Sequence, residues 1–124
     1  MDKPAVICII PSRWGSSRFP GKPLADLCGR PMIRHVYERV LRSPAVTVAA
    51  VATDDQRIFD AVTAFGGRAV MTSDRHRSGT DRIAEAVRLL YVPVGDDAIV
   101  VNVQGDQPAF EPAQIDEVVG PLIA

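Results

Sequence analysis

Three short apolar runs set the tightest limit on how this chain can fold: Ala5 to Ile10 (AVICII), Val46 to Ala52 (VTVAAVA) and Ala98 to Val103 (AIVVNV). The first and last run on without polar alternation, as strands buried on both faces of a parallel sheet do. Between the runs the spacing changes to a helical one. Pro31 suits a helix N1 position, after which Met32, Ile33, Val36, Tyr37, Val40 and Leu41 share one face and Arg34, Glu38, Arg39 and Arg42 take the other, up to Pro44. Thr53-Asp54-Asp55 offers capping chemistry to a second helix with Ile58, Phe59, Val62 and Phe65 on one face, stopped by Gly66-Gly67. Arg68 to Met71 reads as a short strand, and Ser78 or Thr80 caps a third helix carrying Ile83, Val87, Leu90 and Tyr91. A last helix starts at Pro112 and runs through Ile115, Val118 and Val119, with Gly120-Pro121 disturbing it. Strands alternating with amphipathic helices predict an α/β fold, a doubly wound and mostly parallel sheet, in a single domain over residues 1–124.

Composition narrows the function classes. With 47% hydrophobic and 23% charged residues the chain is ordinary globular material, not a disordered one. No apolar run nears the roughly 20 residues of a membrane span, and Met1-Asp2-Lys3-Pro4 leads into no cleavage site, so a cytoplasmic protein without a membrane partner is expected. Cys8 and Cys28 fit no metal-ligand spacing and read as buried, reduced thiols. The net charge of −1 argues against nucleic acid as a partner. Its distribution is uneven, however. Residues 1–43 hold 8 Lys+Arg against 3 Asp+Glu, and residues 44–124 hold 6 against 12. A basic front half without interleaved aromatics points to a compact anionic ligand.

The basic residues concentrate in Ser12 to Pro23, directly after the first strand. Arg13, Arg18 and Lys22 stand there among glycines and small hydroxyls. Glycine lets backbone N–H groups approach an anion, and arginine pairs with phosphate oxygens in bidentate fashion. A Walker A loop is excluded, because Gly21-Lys22 is followed by Pro23 and the required earlier glycine is missing. Two more polar segments, 72–80 and 104–108, also follow strands. In doubly wound sheets such segments line the ligand crevice where strand order reverses.

The stretch Pro11-Ser12-Arg13-Trp14-Gly15-Ser16-Ser17-Arg18-Phe19-Pro20-Gly21-Lys22-Pro23-Leu24 resembles the signature of the 3-deoxy-manno-octulosonate (Kdo) cytidylyltransferases. Four further stretches resemble that family in the same order: Gly29-Arg30-Pro31-Met32-Ile33 with His35-Val36, Val51-Ala52-Thr53-Asp54, Ser78-Gly79-Thr80-Asp81-Arg82, and Val101-Asn102-Val103-Gln104-Gly105-Asp106. Pro23-Leu24 after Gly21-Lys22 separates the match from the related acylneuraminate enzymes. The resemblance implies a Rossmann-like nucleotide-diphospho-sugar transferase fold. It implies Mg²⁺-dependent transfer of CMP from CTP to Kdo, with release of pyrophosphate, in lipopolysaccharide biosynthesis. It places Ser12, Arg13, Arg18, Lys22, Ser78, Gly79, Thr80 and Arg82 at the nucleotide, with Arg13 and Lys22 as the catalytic cations. By the same resemblance Gln104 faces the sugar and Asp106 ligates Mg²⁺.

One departure stands inside the last motif, where the family usually continues Asp-Glu-Pro and this chain has Asp106-Gln107-Pro108. Other residues call for plainer readings. His35 is expected to be a hydrogen-bonded structural residue, Asp54 and Asp55 to cap a helix, and Trp14 to cover the nucleotide or shield the loop. His76 sits in a basic loop, Arg75-His76-Arg77, without an evident partner. Family members continue well beyond the last motif, so the match covers a nucleotide-binding half and leaves out a sugar-binding and dimerisation half. The expectation is therefore a truncated chain of homodimeric relatives. Two readings compete with the enzyme: a CTP-binding fragment without turnover, and a cytidylyltransferase for another acid sugar.

Overall fold

A computed structural model describes residues 5–15, 21–73, 79–90 and 99–103 of the chain. Strand β1 (Val6–Pro11) leads to a 3-10 turn (Lys22–Leu24) and a two-residue hairpin, β2 (Asp26–Leu27) and β3 (Arg30–Pro31). Helix α1 (Met32–Leu41), β4 (Val48–Thr53), α2 (Gln56–Ala64), β5 (Ala69–Met71), α3 (Gly79–Leu89) and β6 (Ile99–Asn102) follow. The four longer strands form one parallel sheet in the order β5-β4-β1-β6, with Ile9 level with Ala50 on one side and Asn102 on the other.

The alternation of side chains along β1 explains why this segment carries no polar residue. Val6, Cys8 and Ile10 point to the face covered by α1 and α2, where they meet Ile33, Val36, Val40, Ile58 and Val62. Ile7 and Ile9 point to the other face, where Ala86 of α3 is buried and Ile83, Val87 and Leu90 pack alongside. Each fully buried isoleucine contributes roughly 1.5–3 kcal/mol by leaving water. The helix placement follows from topology. Crossovers between parallel strands are right-handed, so reversing the direction of strand addition after β5 sends α3 to the opposite face.

Several local expectations are corrected. β6 was expected to be buried, yet it lies at the sheet edge with alternate residues exposed and Val100 at 44%. Its composition suits a central strand, and its neighbours among the described residues cover only one edge. Cys28 is exposed, unlike Cys8, because it occupies the β2–β3 turn with a left-handed φ of 54°. Burial pushes the Cys8 thiol up to about 12. Pro31 is the residue preceding α1, not its first helical one. Thr80 lies within α3, so it does not cap it. The expected helix from Pro112 falls outside the described residues. No helix among the described residues is long and apolar enough to cross a membrane.

Candidate functional site

Strand order reverses between β1 and β6, so the crevice of this sheet opens at their carboxyl ends. The first residue past β1 is Ser12. Its N–H donates to the Ala52 carbonyl at 2.9 Å, which continues the sheet ladder and fixes the backbone there. The Ser12 side chain is 4% exposed, and its Oγ is the one buried side-chain polar atom without a hydrogen-bond partner among the described residues. Arg13, next in the chain, is exposed.

The basic loop is closed at its neck by a clamp that no single motif announced. The Gly21 N–H donates to the Trp14 carbonyl at 2.8 Å. Gly21 has a φ of 76°, in the left-handed region, and a Cβ there would meet Trp14 Cη2 at 2.8 Å, so both backbone and space require glycine. The Arg57 guanidinium lies 3.3 Å from the centroid of the Trp14 ring. Arg57 is itself held by Asp55, Nη2 to Oδ2 at 2.8 Å, and the Asp55 carboxylate also accepts from the backbone N–H of Arg57 and Ile58 to cap α2. The side-chain bond from Arg57, partly opposed by desolvation, holds the Asp55 carboxyl below its ordinary range. The start of α2 is thereby tied to the neck of the loop. Arg13 and Lys22 each adjoin one end of the Trp14–Gly21 bridge, so their backbones lie close together at the neck of the loop. Trp14 thus serves as the clamp's filling. Arg18 lies outside the described residues.

A second set of contacts gathers the ends of β4, β5 and α3. Arg82 is 2% exposed, and its guanidinium donates to Thr72 Oγ1 at 2.6 Å, to the Ser73 carbonyl at 3.4 Å and to Asp54 Oδ2 at 3.2 Å. The Ser73 N–H donates to Glu85 at 2.6 Å. In this arrangement Arg82 ties α3 to the ends of β4 and β5. Asp54 is its partner, and capping of α2 falls to Asp55 alone. The brace ties α3 through Arg82 to Thr72 and Ser73, just past the end of β5. Ser78 lies outside the described residues.

The motif around α1 turns out to be architecture. His35 Nε2 bonds the Leu27 carbonyl, holding the hairpin on α1, and Glu38 accepts from both Arg30 and Arg34. On the far side of the crevice, the Val103 N–H donates to the Ile9 carbonyl at 3.0 Å, so the chain leaves β6 still paired with β1. Gln104, Asp106 and Gln107 lie outside the described residues, as does His76. Among the described residues no group of three or more His, Cys, Asp or Glu could hold a metal ion.

Comparison with known proteins agrees with this geometry. The family model described as "Cytidylyltransferase" matches residues 7–122. The chain is 72% identical over 117 residues to the 3-deoxy-manno-octulosonate cytidylyltransferase of Syntrophus aciditrophicus, covering 94% of this chain and 46% of that protein. A solved structure of CMP:2-keto-3-deoxy-manno-octonic acid synthetase complexed with CTP superposes with a TM-score of 0.86 at 46% identity, over 95% of this chain and 47% of that one. The structure of 4-diphosphocytidyl-2C-methyl-D-erythritol synthase, 17% identical, shares the fold with a TM-score of 0.75, over 97% of this chain and 55% of that one. The chain spans about half the length of the curated relatives it matches, corresponding to their N-terminal half. With its parallel sheet, its clamped basic loop and a family match over nearly all its residues, the chain belongs to the cytidylyltransferases.

Proposed function

We propose that this chain is the CTP-binding half of a Kdo cytidylyltransferase, an enzyme that transfers CMP from CTP to Kdo. The observation that carries the reading is the neck of the basic loop, where the Trp14–Gly21 clamp flanks Arg13 and Lys22 at the sheet's switch point. A CTP complex of a protein 46% identical to this chain supports the choice of nucleotide. In the reaction the anomeric hydroxyl of Kdo attacks the α-phosphorus of CTP, the bond to the β-phosphate oxygen breaks, and pyrophosphate leaves. Arg13 and Lys22, with Arg18, bind the triphosphate and stabilise the charge that grows on the α-phosphate and the leaving group. Ser78, Gly79 and Thr80 sit beside the nucleoside. Gln104 meets the sugar.

Mg²⁺ is part of this proposal. Asp106 would hold it together with the phosphates, since Mg²⁺ commonly takes only one or two carboxylates from a protein. When bound, the ion neutralises phosphate charge and acidifies the attacking hydroxyl. The product is an activated sugar for lipopolysaccharide assembly in the cytoplasm.

The half-length match favours a second reading, in which the chain binds CTP and turns nothing over until a C-terminal half completes the sugar site and the dimer. Thermal stabilisation by CTP tests the shared core of both. A shift in melting temperature should appear with CTP and vanish in Arg13→Ala and Lys22→Ala. A melting curve indifferent to CTP refutes both readings. Pyrophosphate release with CTP, Kdo and Mg²⁺ then separates enzyme from fragment, and replacement of Kdo by N-acetylneuraminate tests the choice of sugar.

A further inference from the structure

The clamp at the neck of the basic loop holds a carboxylate where an anion-binding loop has no use for one. Asp55 reaches Trp14 through a single intermediary, Arg57, and Trp14 directly follows Arg13 in the chain. A bare carboxylate beside that neck would repel the phosphates that Arg13 and Lys22 attract. Its charge is answered by Arg57 through two bonds, Nη2 to Oδ2 at 2.8 Å and Nε to Oδ1 at 3.2 Å. Toward a ligand the pair is therefore neutral, and what it supplies is orientation.

Exposed ion pairs contribute little by themselves, so the restraints on this one decide what it can do. Asp55 Oδ1 accepts from the backbone N–H of Arg57 at 2.8 Å and of Ile58 at 3.3 Å. The Asp55 N–H donates to Oγ1 of the buried Thr53, at the end of β4, at 3.1 Å. The guanidinium is thus fixed relative to the sheet where it lies over the Trp14 ring, 3.3 Å from its centroid. That ring packs against the core that α1 and α2 cover, and it also lies against Gly21, where the loop returns. One chain of contacts, Thr53 to Asp55 to Arg57 to Trp14 to Gly21, runs from the sheet to both ends of the loop. We propose that Asp55 and Arg57 are positioning residues for the nucleotide: acting through the Trp14 ring, the pair holds the neck in the shape that presents Arg13 and Lys22 to the triphosphate. The inference rests on the nucleotide reading above. A loop already in its binding shape loses less freedom when the ligand arrives, so releasing it lowers affinity in proportion to the competent population.

The test is calorimetric titration with CTP, well below the melting temperature, of wild type, Arg57→Ala and Asp55→Asn, each also in a Trp14→Leu background. Asparagine keeps an acceptor for the helix cap but turns an N–H2 toward one arm of Arg57, so it breaks the two-bond pairing and spares the cap. Arg57→Ala should weaken CTP roughly two- to fivefold, the scale of one exposed cation–π contact. Asp55→Asn should weaken CTP as well, although it removes a negative charge, and that sign separates positioning from charge. Leucine at position 14 keeps apolar bulk but offers no ring face. In that background the loss from Arg57→Ala should shrink, and Asp55→Asn should no longer weaken CTP. Unchanged or tighter binding by Asp55→Asn, or an equal loss from Arg57→Ala in both backgrounds, would overturn the inference. An Arg57→Ala chain that melts lower but binds CTP like wild type would make the pair structural and overturn it too. In those cases wild type still binds CTP and the nucleotide reading stands, whereas a wild-type chain that binds no CTP removes both.

Discussion

Replacing Gly21 by alanine should be among the most damaging single-methyl changes in the molecule, and its cost divides into two measurable parts. The left-handed backbone, at a φ of 76°, costs an L-residue roughly 1–2 kcal/mol. The added Cβ would stand 2.8 Å and 2.9 Å from two ring carbons of Trp14. The ring cannot retreat freely, because the Arg57 guanidinium lies 3.3 Å from its centroid and is tethered to Asp55. Overpacking of this kind costs about 1–3 kcal/mol. The total is therefore about 2–5 kcal/mol. With an unfolding entropy near 2.1 cal/mol/K per residue, a chain of 124 residues should melt about 8–19 °C lower. Thermal and urea unfolding of Gly21→Ala measure the sum, and the same substitution in a Trp14→Ala background measures the backbone part alone. In that background the loss should shrink to about 1–2 kcal/mol. Equal losses in the two backgrounds, or a loss below about 0.5 kcal/mol in the wild type, would refute the clamp as described.

Arg82→Ala strands the Thr72 hydroxyl and the Asp54 carboxylate, and should cost about 3 kcal/mol in urea unfolding. Combined with Asp54→Ala it should cost less than the two separate losses added, since the residues share one bond. Asp55 supplies pH dependence. Its folded pKa lies below the ordinary value of 3.8, chiefly through the Arg57 side-chain bond, so its contribution is complete above that value and is lost as pH falls through the folded pKa. The gap in melting temperature between wild type and Asp55→Asn should thus be constant near neutrality and close in acid below pH 3.8. Thiol titration should find one fast group in the native chain, the exposed Cys28, while Cys8, buried and pushed up to about 12, reacts only on unfolding.

The strand–helix alternation was legible because each buried strand is short and apolar on both faces, and β1 divides its side chains between two cores as such a run must. Edge exposure was not legible in β6, whose residues are the same types found in the centre of the sheet. Within the site, Arg13 and Lys22 stood out by charge density alone. The clamp between them did not, since Arg57 comes from another helix and only the fold brings it onto Trp14. Arg82 is a similar case. Its burial and its bond to Asp54 give it a bracing position that no spacing rule encodes. Asp54 and Asp55 are neighbours with the same side chain, and only the geometry at the end of β4 sends one to the brace and the other to the cap.

Trp14 is the only tryptophan in the chain, and it is seated where the basic loop departs and returns. Selective excitation of indole emission therefore interrogates that one hinge without contributions from elsewhere. A cation stacked on the ring and a glycine pressed against it set the brightness and colour of that signal, so any event that parts the neck announces itself optically without an attached dye.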